Sequence, residues 1–89
     1  MTEYRITVHE TVTRKLLKMD NAIRERLIKE IARMRFSDLG RHMKHGLDFF
    51  VEEAGQYRIV FRCIDHEKRI HFVGNHKEYE KWYRKAMQN

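Results

Sequence analysis

The stretch from Gly55 to Tyr83 constrains the fold more strongly than any other part of the chain. Its first part alternates at a period of two residues, the pattern of a strand with one buried face. One side of that strand carries Tyr57, Ile59, Phe61 and Cys63, and the other carries Arg58, Val60, Arg62 and Ile64. A second alternating run, residues 69–73, follows a short polar turn. Two such runs across a short polar loop predict a β-hairpin.

A helix is predicted to follow this hairpin. Asn75 is a suitable N-cap, and Glu78 three residues later completes a capping-box pattern. The apolar stripe of the helix comprises Tyr79, Trp82, Tyr83 and Ala86. His76 is then the first helical residue. The positive end of the helix dipole disfavours imidazolium, so one hypothesis is a largely neutral His76 that accepts or relays a proton, and the alternative is an ordinary surface residue.

The rest of the sequence predicts a pair of helices, with one further strand before it in the chain and another after it. Residues 4–9 and 47–52 alternate as strands do, and residues 11–19 have helical spacing. Asp20 is a suitable N-cap for a second helix, whose apolar face runs from Ile23 to Met34. The predicted fold class is α+β: strand, helix hairpin, three-stranded antiparallel meander and C-terminal helix. We expect one domain over residues 1–89, with a small, mostly antiparallel sheet and helices packed on one face.

Charge and cysteine content indicate the kind of partner and the compartment. Nineteen Lys and Arg against thirteen Asp and Glu give a net charge of +6, which favours a polyanionic or acidic partner. The single cysteine, Cys63, excludes an intrachain disulfide and fits a reducing cytosol. No apolar run approaches the roughly 20 residues that span a bilayer, and no secretory signal is evident. We therefore expect a cytoplasmic protein.

The segment Ser37–Gly46 has no sustained period and is predicted to be a basic loop. His42 and His45 are three residues apart, but no further ligands with recognisable spacing accompany them. RNA or partner contact is therefore favoured over metal binding, and neither a metal nor a cofactor is expected.

Strand registers predict which polar groups meet. A loop of Ala54, Gly55 and Gln56 pairs Glu52 with Arg58, and it puts Phe49, Val51, Ile59 and Phe61 on one face. A second turn centred on His66 and Glu67 pairs Arg62 with His71, and Asn75 with Arg58. Arg58 and Arg62 then lie about 13 Å apart along the strand. This register predicts a reactive group at Arg58, Glu52 and His76, and a separate binding group at Arg62 and His71.

Two segments, GQYRIVFRCID and FVGNHKEYEKWY, resemble the third strand and the closing segment of the RelE/ParE toxin superfamily, and the match covers nearly the whole chain. The Gly-Asn-His-Lys-Glu-Tyr run is closer to HigB-like members. The resemblance implies the toxin of a toxin–antitoxin system, an endoribonuclease that cuts mRNA on the ribosome and inhibits translation, silenced by an acidic antitoxin. It also implies that Arg58 matches the family's strand arginine, that His76 matches its basic or histidine position, and that Tyr79 or Tyr83 stands for its C-terminal tyrosine.

The sequence departs from some family members on the second strand, where they carry a lysine pair and this chain has Phe49, Val51 and the acids Glu52 and Glu53. Metal-independent RNA cleavage needs a base, a cation and an acid. We expect Arg58 to bind the phosphate, His76 to transfer a proton, and Glu52 or a tyrosine to take the remaining role. Glu52 has an alternative role as an ion-pair partner of Arg58.

RNA binding is expected from a wider set of basic residues: Arg62, His71, Lys77, Arg41, Lys44 and His45. Two other functions remain open for the same fold. One is a ParE-like inhibitor of DNA gyrase, and the other is a basic nucleic-acid-binding module without activity. In either toxin function, an acidic antitoxin is expected to cover the basic sheet face or displace the last helix.

Overall fold

A computed structural model describes residues 3–39, the backbone of residues 41–42, and residues 48–88. The strands are β1 (Arg5–Val8), β2 (Arg41–His42), β3 (Phe50–Ala54), β4 (Tyr57–Ile64) and β5 (Glu67–Asn75), and the helices are α1 (Glu10–Leu17), α2 (Asn21–Arg33) and α3 (His76–Met87). The strands form one sheet in the order β1-β5-β4-β3-β2. Among the strands that the structure describes, only β1 and β5 pair in parallel. The predicted α+β class with a mostly antiparallel sheet is confirmed.

Helices α1 and α2 cover one face of the sheet, here called the core face. Their apolar residues recur at helical spacing, so each helix presents a continuous stripe to the sheet. The cluster formed there contains Val12, Leu16, Leu27, Ile31 and Met34 from the helical segments and Ala54, Ile59, Phe61, Ile70 and Val73 from the strands. Asp20 caps α2 as predicted, since its side chain accepts a hydrogen bond from the amide of Ala22.

Helix α3 packs on the opposite face of the sheet, here called the α3 face. Val51 and Val60 are buried there under the aromatic rings of Phe49, Phe72, Tyr79, Trp82 and Tyr83. The expectation that the helices share one face is therefore wrong for α3. The physical reason is that β3 and β4 carry apolar residues on both sides, so the sheet needs a cover on each face.

The β3–β4 turn contains two residues, Gly55 and Gln56, instead of the three predicted. Gly55 has a φ of +63°, and a glycine at the first central position is typical of a type II′ hairpin turn. The shorter turn moves the register by one residue, so Glu53 pairs with Arg58 and Glu52 pairs with Ile59. The predicted pairing of Glu52 with Arg58 is therefore wrong.

The β4–β5 hairpin also differs from its predicted register. Its turn residues, Asp65 and His66, have φ values of 51° and 62°, as a type I′ turn requires. Phe61 pairs with Ile70 and Val60 pairs with Phe72, so His71 is an extra residue in a β-bulge. The predicted partners were His71 for Arg62 and Asn75 for Arg58, but the observed partners are Arg69 and Gly74.

The predicted basic loop contains the short strand β2, in which Arg41 and His42 pair with Val51 and Phe50. Residues 40 and 43–47 lie outside the described part of the chain. Among the helices that the structure describes, none is long and apolar enough to cross a membrane.

Candidate functional site

Arg58 lies near the start of β4, on the α3 face, directly opposite Gly74 of β5. Its side chain is only 15% exposed. Nη1 donates to the carbonyl oxygens of Gly55 and Tyr57, both at 3.0 Å, and Nη2 lies 3.5 Å from Oε1 of Glu53. These contacts hold the guanidinium at the β3–β4 turn, beside the end of β5.

His76 begins α3, two residues beyond Gly74. The capping box predicted for this helix is present: Oδ1 of Asn75 accepts from the amide of Glu78, and Oε1 of Glu78 accepts from the amide of Asn75, both at 2.9 Å. The His76 side chain is 59% exposed, and its Nε2 lies 2.7 Å from Oε1 of Glu80. Glu80 is thus a carboxylate positioned to orient the imidazole, which the sequence pattern did not identify.

Gly74 is the point at which β4, β5, α1 and α3 come together. A Cβ atom at this position would lie 2.7 Å from Cζ of Phe72, 2.9 Å from Nζ of Lys15 and 3.0 Å from Cβ of Glu78. No side chain fits there unless its neighbours move. The absence of a side chain at Gly74 lets α3 begin close to the strand that carries Arg58.

Lys15 is a cation at this site that sequence reasoning missed. It projects from α1, and its Nζ lies 3.0 Å from Oε2 of Glu78 and 4.6 Å from the centre of the Phe72 ring. The pKa of Glu78 is lowered, first by its hydrogen bond with the amide of Asn75 and further by Lys15. Lys15 borders the apolar stripe of α1, three residues after Val12, and no capping or strand pattern marks it as a site residue.

The two candidate tyrosines lie on the α3 face, as Arg58 does. Tyr79 and Tyr83 are one helical turn apart, with ring centres separated by 6.1 Å, and both pack against the buried Val51 and Val60. The fold therefore places Arg58 and the two phenols on the α3 face, and it places His76 at the start of the helix that carries both tyrosines.

Glu52 is not part of that group. It pairs with Ile59 on the core face, whereas Arg58 points to the α3 face. The pKa of Glu52 is raised, first by burial and then by a hydrogen bond with the carboxyl group of Glu30, while Lys68 and Arg33 act in the opposite direction. The acid beside Arg58 is Glu53, whose side chain is 55% exposed. The two-residue turn at Gly55 is the signal that could have identified it.

Arg62 and His71 form a second group farther along the α3 face. Nη2 of Arg62 lies 3.3 Å from Oδ2 of Asp48, and the guanidinium lies over the Phe49 ring at 5.3 Å. The His71 ring meets Phe49 edge-on at 5.6 Å and stacks on His9 at 6.2 Å. Although the predicted pairing of Arg62 with His71 is wrong, the two side chains still belong to one cluster.

The remaining predicted RNA-binding residues are only partly described. Lys77 is exposed on the first turn of α3. Arg41 is described for its backbone alone, and Lys44 and His45 lie outside the described residues. In the ranges that the structure describes, no group of three or more His, Cys, Asp or Glu side chains could hold a metal ion.

Comparisons with known proteins reveal similarity in structure. No protein-family model and no curated protein matches the sequence. The RelBE2 toxin–antitoxin complex of Mycobacterium tuberculosis contains a chain with a TM-score of 0.75 and 21% identity, covering 84% of this chain and 93% of that one. A mutant of the Escherichia coli toxin RelE in the free state has a TM-score of 0.74 and 19% identity, covering 92% and 93%.

An archaeal RelE–RelB complex from Pyrococcus horikoshii gives a TM-score of 0.67 at 18% identity, covering 83% of this chain and 96% of that one. At these identities the likeness establishes the fold. The chain therefore has the fold of these RelE structures, and the predicted fold class is confirmed.

Proposed function

We propose that this chain, which has the fold of the RelE toxins, is the toxin of a toxin–antitoxin system and an endoribonuclease that cleaves mRNA. The observation that carries the proposal is the pairing of Arg58 with Gly74 at the end of β5. Neighbouring strands are about 4.8 Å apart, so this pairing brings Arg58 close to the point where α3 and His76 begin. A largely buried cation on the strand next to the one that leads into His76 suits phosphodiester chemistry.

In the proposed reaction, the ribose 2′-oxygen attacks the adjacent phosphorus. The new O2′–P bond forms as the P–O5′ bond breaks, which yields a 2′,3′-cyclic phosphate and a free 5′-hydroxyl. One proton leaves the 2′-hydroxyl for a base, and one proton reaches the departing 5′-oxygen from an acid. No oxidant or further reactant is required.

Each step has a residue at the site. Arg58 stabilises the charge that develops on the phosphorane oxygens. His76 transfers a proton, oriented by Glu80 at 2.7 Å. Tyr79 or Tyr83 takes the remaining proton-transfer role. Glu52 has no part in this scheme, because it points to the opposite face of the sheet.

The basic surface around the site supports binding of the RNA chain. Arg62 and Lys77 add positive charge to that of Arg58, and the sequence supplies further basic residues at Arg41, Lys44 and His45, while His71 adds charge when it is protonated. We infer that the substrate is mRNA on the ribosome in the cytoplasm, so that cleavage inhibits translation. Because structural neighbours include RelBE complexes, we further infer an acidic antitoxin that covers the basic α3 face.

The test is cleavage of ribosome-bound mRNA by purified protein and its variants. His76→Gln is expected to lower the cleavage rate about 100-fold or more, the usual effect of losing a proton-transfer group. Arg58→Lys, which keeps a charge, is expected to lose a comparable factor because lysine lacks the planar guanidinium. Arg14→Gln is the matched control, since Arg14 is 69% exposed on α1.

Thermal melts followed by circular dichroism establish that each variant is folded. Wild-type cleavage rates in both site variants would refute the assignment. Induced expression in cells separates the alternatives, because transcript loss supports the nuclease. DNA-damage signalling with intact transcripts would indicate a gyrase inhibitor instead. Salt-dependent RNA binding without cleavage would indicate a non-catalytic module.

A further inference from the structure

Two arginines face each other on the α3 face, away from Arg58. Arg62 of β4 pairs directly with Arg69 of β5. Like charges at directly opposed positions destabilise a sheet. Each arginine has one acidic neighbour: Asp48 lies 3.3 Å from Arg62, and Glu67 lies 3.0 Å from Arg69. The Asp48 side chain is 71% exposed, so its compensation of Arg62 is strongly screened by solvent.

The β-bulge adds an imidazole to this pair. His71 is the extra residue of β5, and bulges commonly redirect a side chain near functional sites. The basic groups around it are Arg62 on β4, Arg69 on its own strand and His9 at the start of α1. Burial lowers the pKa of His71, and the positive charges of Arg62 and Arg69 lower it further. His71 is therefore neutral at neutral pH.

Two nitrogens of this cluster are left without a partner. Nε of Arg62 and Nε2 of His71 are buried and make no hydrogen bond with any residue that the structure describes. An unpaired buried polar group costs about 1–3 kcal/mol, so a pair of them on neighbouring strands calls for an explanation. The remaining parts of Arg62 and Arg69 reach solvent, with side chains 40% and 50% exposed.

Aromatic rings border the same cluster. Phe49 contacts both Arg62 and His71, and it meets the Trp82 ring edge-on at 5.2 Å. Positive groups beside aromatic rings are typical of sites for single-stranded nucleic acid, where the cations bind phosphates and the rings stack with bases. This combination favours an RNA chain over an acidic peptide, which would need the charges alone.

We propose that Arg62, Arg69 and His71 form a second phosphate site for single-stranded RNA, and that His71 takes up a proton when the phosphate binds. The site lies about 13 Å from Arg58 along β4, so it takes a different phosphate of the same chain. This inference rests on the proposed function, because it describes how the RNA substrate continues beyond the cleaved bond. It gives RNA affinity a pH dependence that originates outside the reactive group.

Binding of an uncleavable RNA tests the proposal independently of catalysis. The probe is a fluorescent 2′-O-methyl hexanucleotide, which lacks the attacking hydroxyl, and the readout is fluorescence anisotropy. Wild-type affinity is expected to rise about three- to eightfold between about pH 7.5 and about pH 5.5, since a bound-state pKa raised by one unit limits the full rise to about tenfold. His71→Gln is expected to lose most of that rise. His66→Gln, which alters an exposed turn histidine, is the matched control.

Three further measurements guard against a misfolded variant or another titrating histidine. Arg62→Gln should reduce the slope of log affinity against log salt concentration by about the contribution of one phosphate contact. His76→Gln should retain the pH-dependent rise that His71→Gln loses. In wild-type protein, the NMR titration of the His71 ring should move to higher pH when the hexanucleotide is added.

The proposal is overturned if His71→Gln keeps the wild-type pH dependence, if Arg62→Gln keeps the wild-type salt slope, or if polyglutamate replaces RNA with the same pH-linked affinity. Its failure differs from failure of the proposed function. Loss of the second site leaves the requirement for Arg58 and His76 in cleavage intact, whereas a protein that binds RNA with these features but never cleaves it refutes the nuclease alone.

Discussion

Replacing the buried lysine of β5 is expected to destabilise the protein substantially. Lys68 is 0% exposed. Its Nζ donates to the carbonyl oxygens of Met34 at 2.7 Å, Ser37 at 3.0 Å and Asp38 at 3.2 Å, and it lies 3.3 Å from the Ser37 hydroxyl. The ammonium thus ties the end of α2 and the segment after it to the sheet. Lys68→Met keeps a long unbranched side chain and removes these bonds, together with the contacts of the ammonium with the Tyr4 and Phe61 rings at 4.4 Å and 5.3 Å.

The expected loss of stability follows from the hydrogen bonds that the substitution of Lys68 removes. Hydrogen bonds to a charged donor contribute about 1.5–3 kcal/mol, and the Met34 carbonyl, buried without a donor, costs about 1–3 kcal/mol. Relief from burying an ammonium group offsets part of this loss. We therefore expect the free energy of unfolding to fall by about 2–3 kcal/mol, or Tm by about 10–20 °C for a domain of this size. A chain of 89 residues has only about 4–13 kcal/mol in total.

Urea denaturation followed by circular dichroism measures the change, with Lys29→Met on the exposed side of α2 as the control. Burial also lowers the pKa of Lys68 from 10.5. In the pH window below 10.5 the unfolded state therefore binds more protons, so this group makes stability rise with pH. Lys68→Met should lack that rise. A variant as stable as wild type at neutral pH would show that burying the charge costs as much as its hydrogen bonds return.

Two further predictions concern the sheet. Glu52→Gln is expected to raise the free energy of unfolding at neutral pH by about 1 kcal/mol and to leave RNA cleavage unchanged. Because the pKa of Glu52 is raised in the native state, that state binds more protons than the unfolded state above pH 4.5, and wild-type stability falls as the pH rises through the raised pKa. A pH series of urea melts should show no such fall in the variant. Gly74→Ala is expected to lower the free energy of unfolding by about 1–3 kcal/mol, because the added methyl group crowds Phe72 and Lys15. Urea melts measure the change with Gln56→Ala as the control, and an unchanged urea midpoint would contradict the prediction.

The element order and the helix caps were predictable because they depend on local interactions. Alternation at a period of two residues marks β4, and Asp20, Asn75 and Glu78 cap helices through contacts within three residues of each other in sequence. Arg58 and His76 were also predicted to lie at the same end of the sheet. That prediction survived a register error of one residue, since Gly74 and Asn75 are neighbours.

Glu52 and Glu53 show where the sequence pattern was insufficient. Phe49 and Val51 on one side of β3, and Phe50 and Ala54 on the other, are all apolar, so two registers satisfy the hydrophobic pattern equally well. The turn length alone distinguishes them, and it places Glu53 beside Arg58. A sheet that is buried on both faces gives no periodic signal to select between the two registers.

The sequence by itself determined the three helices, the strands other than β2, and that the chain is basic, because propensity, capping and charge belong to single residues and their near neighbours. Only the tertiary structure decided that α3 covers the second face, that His71 is bulged towards Arg62, and that Lys15 reaches Glu78 across the end of β5. These features depend on contacts between elements distant in sequence. Packing of the whole sheet selects them.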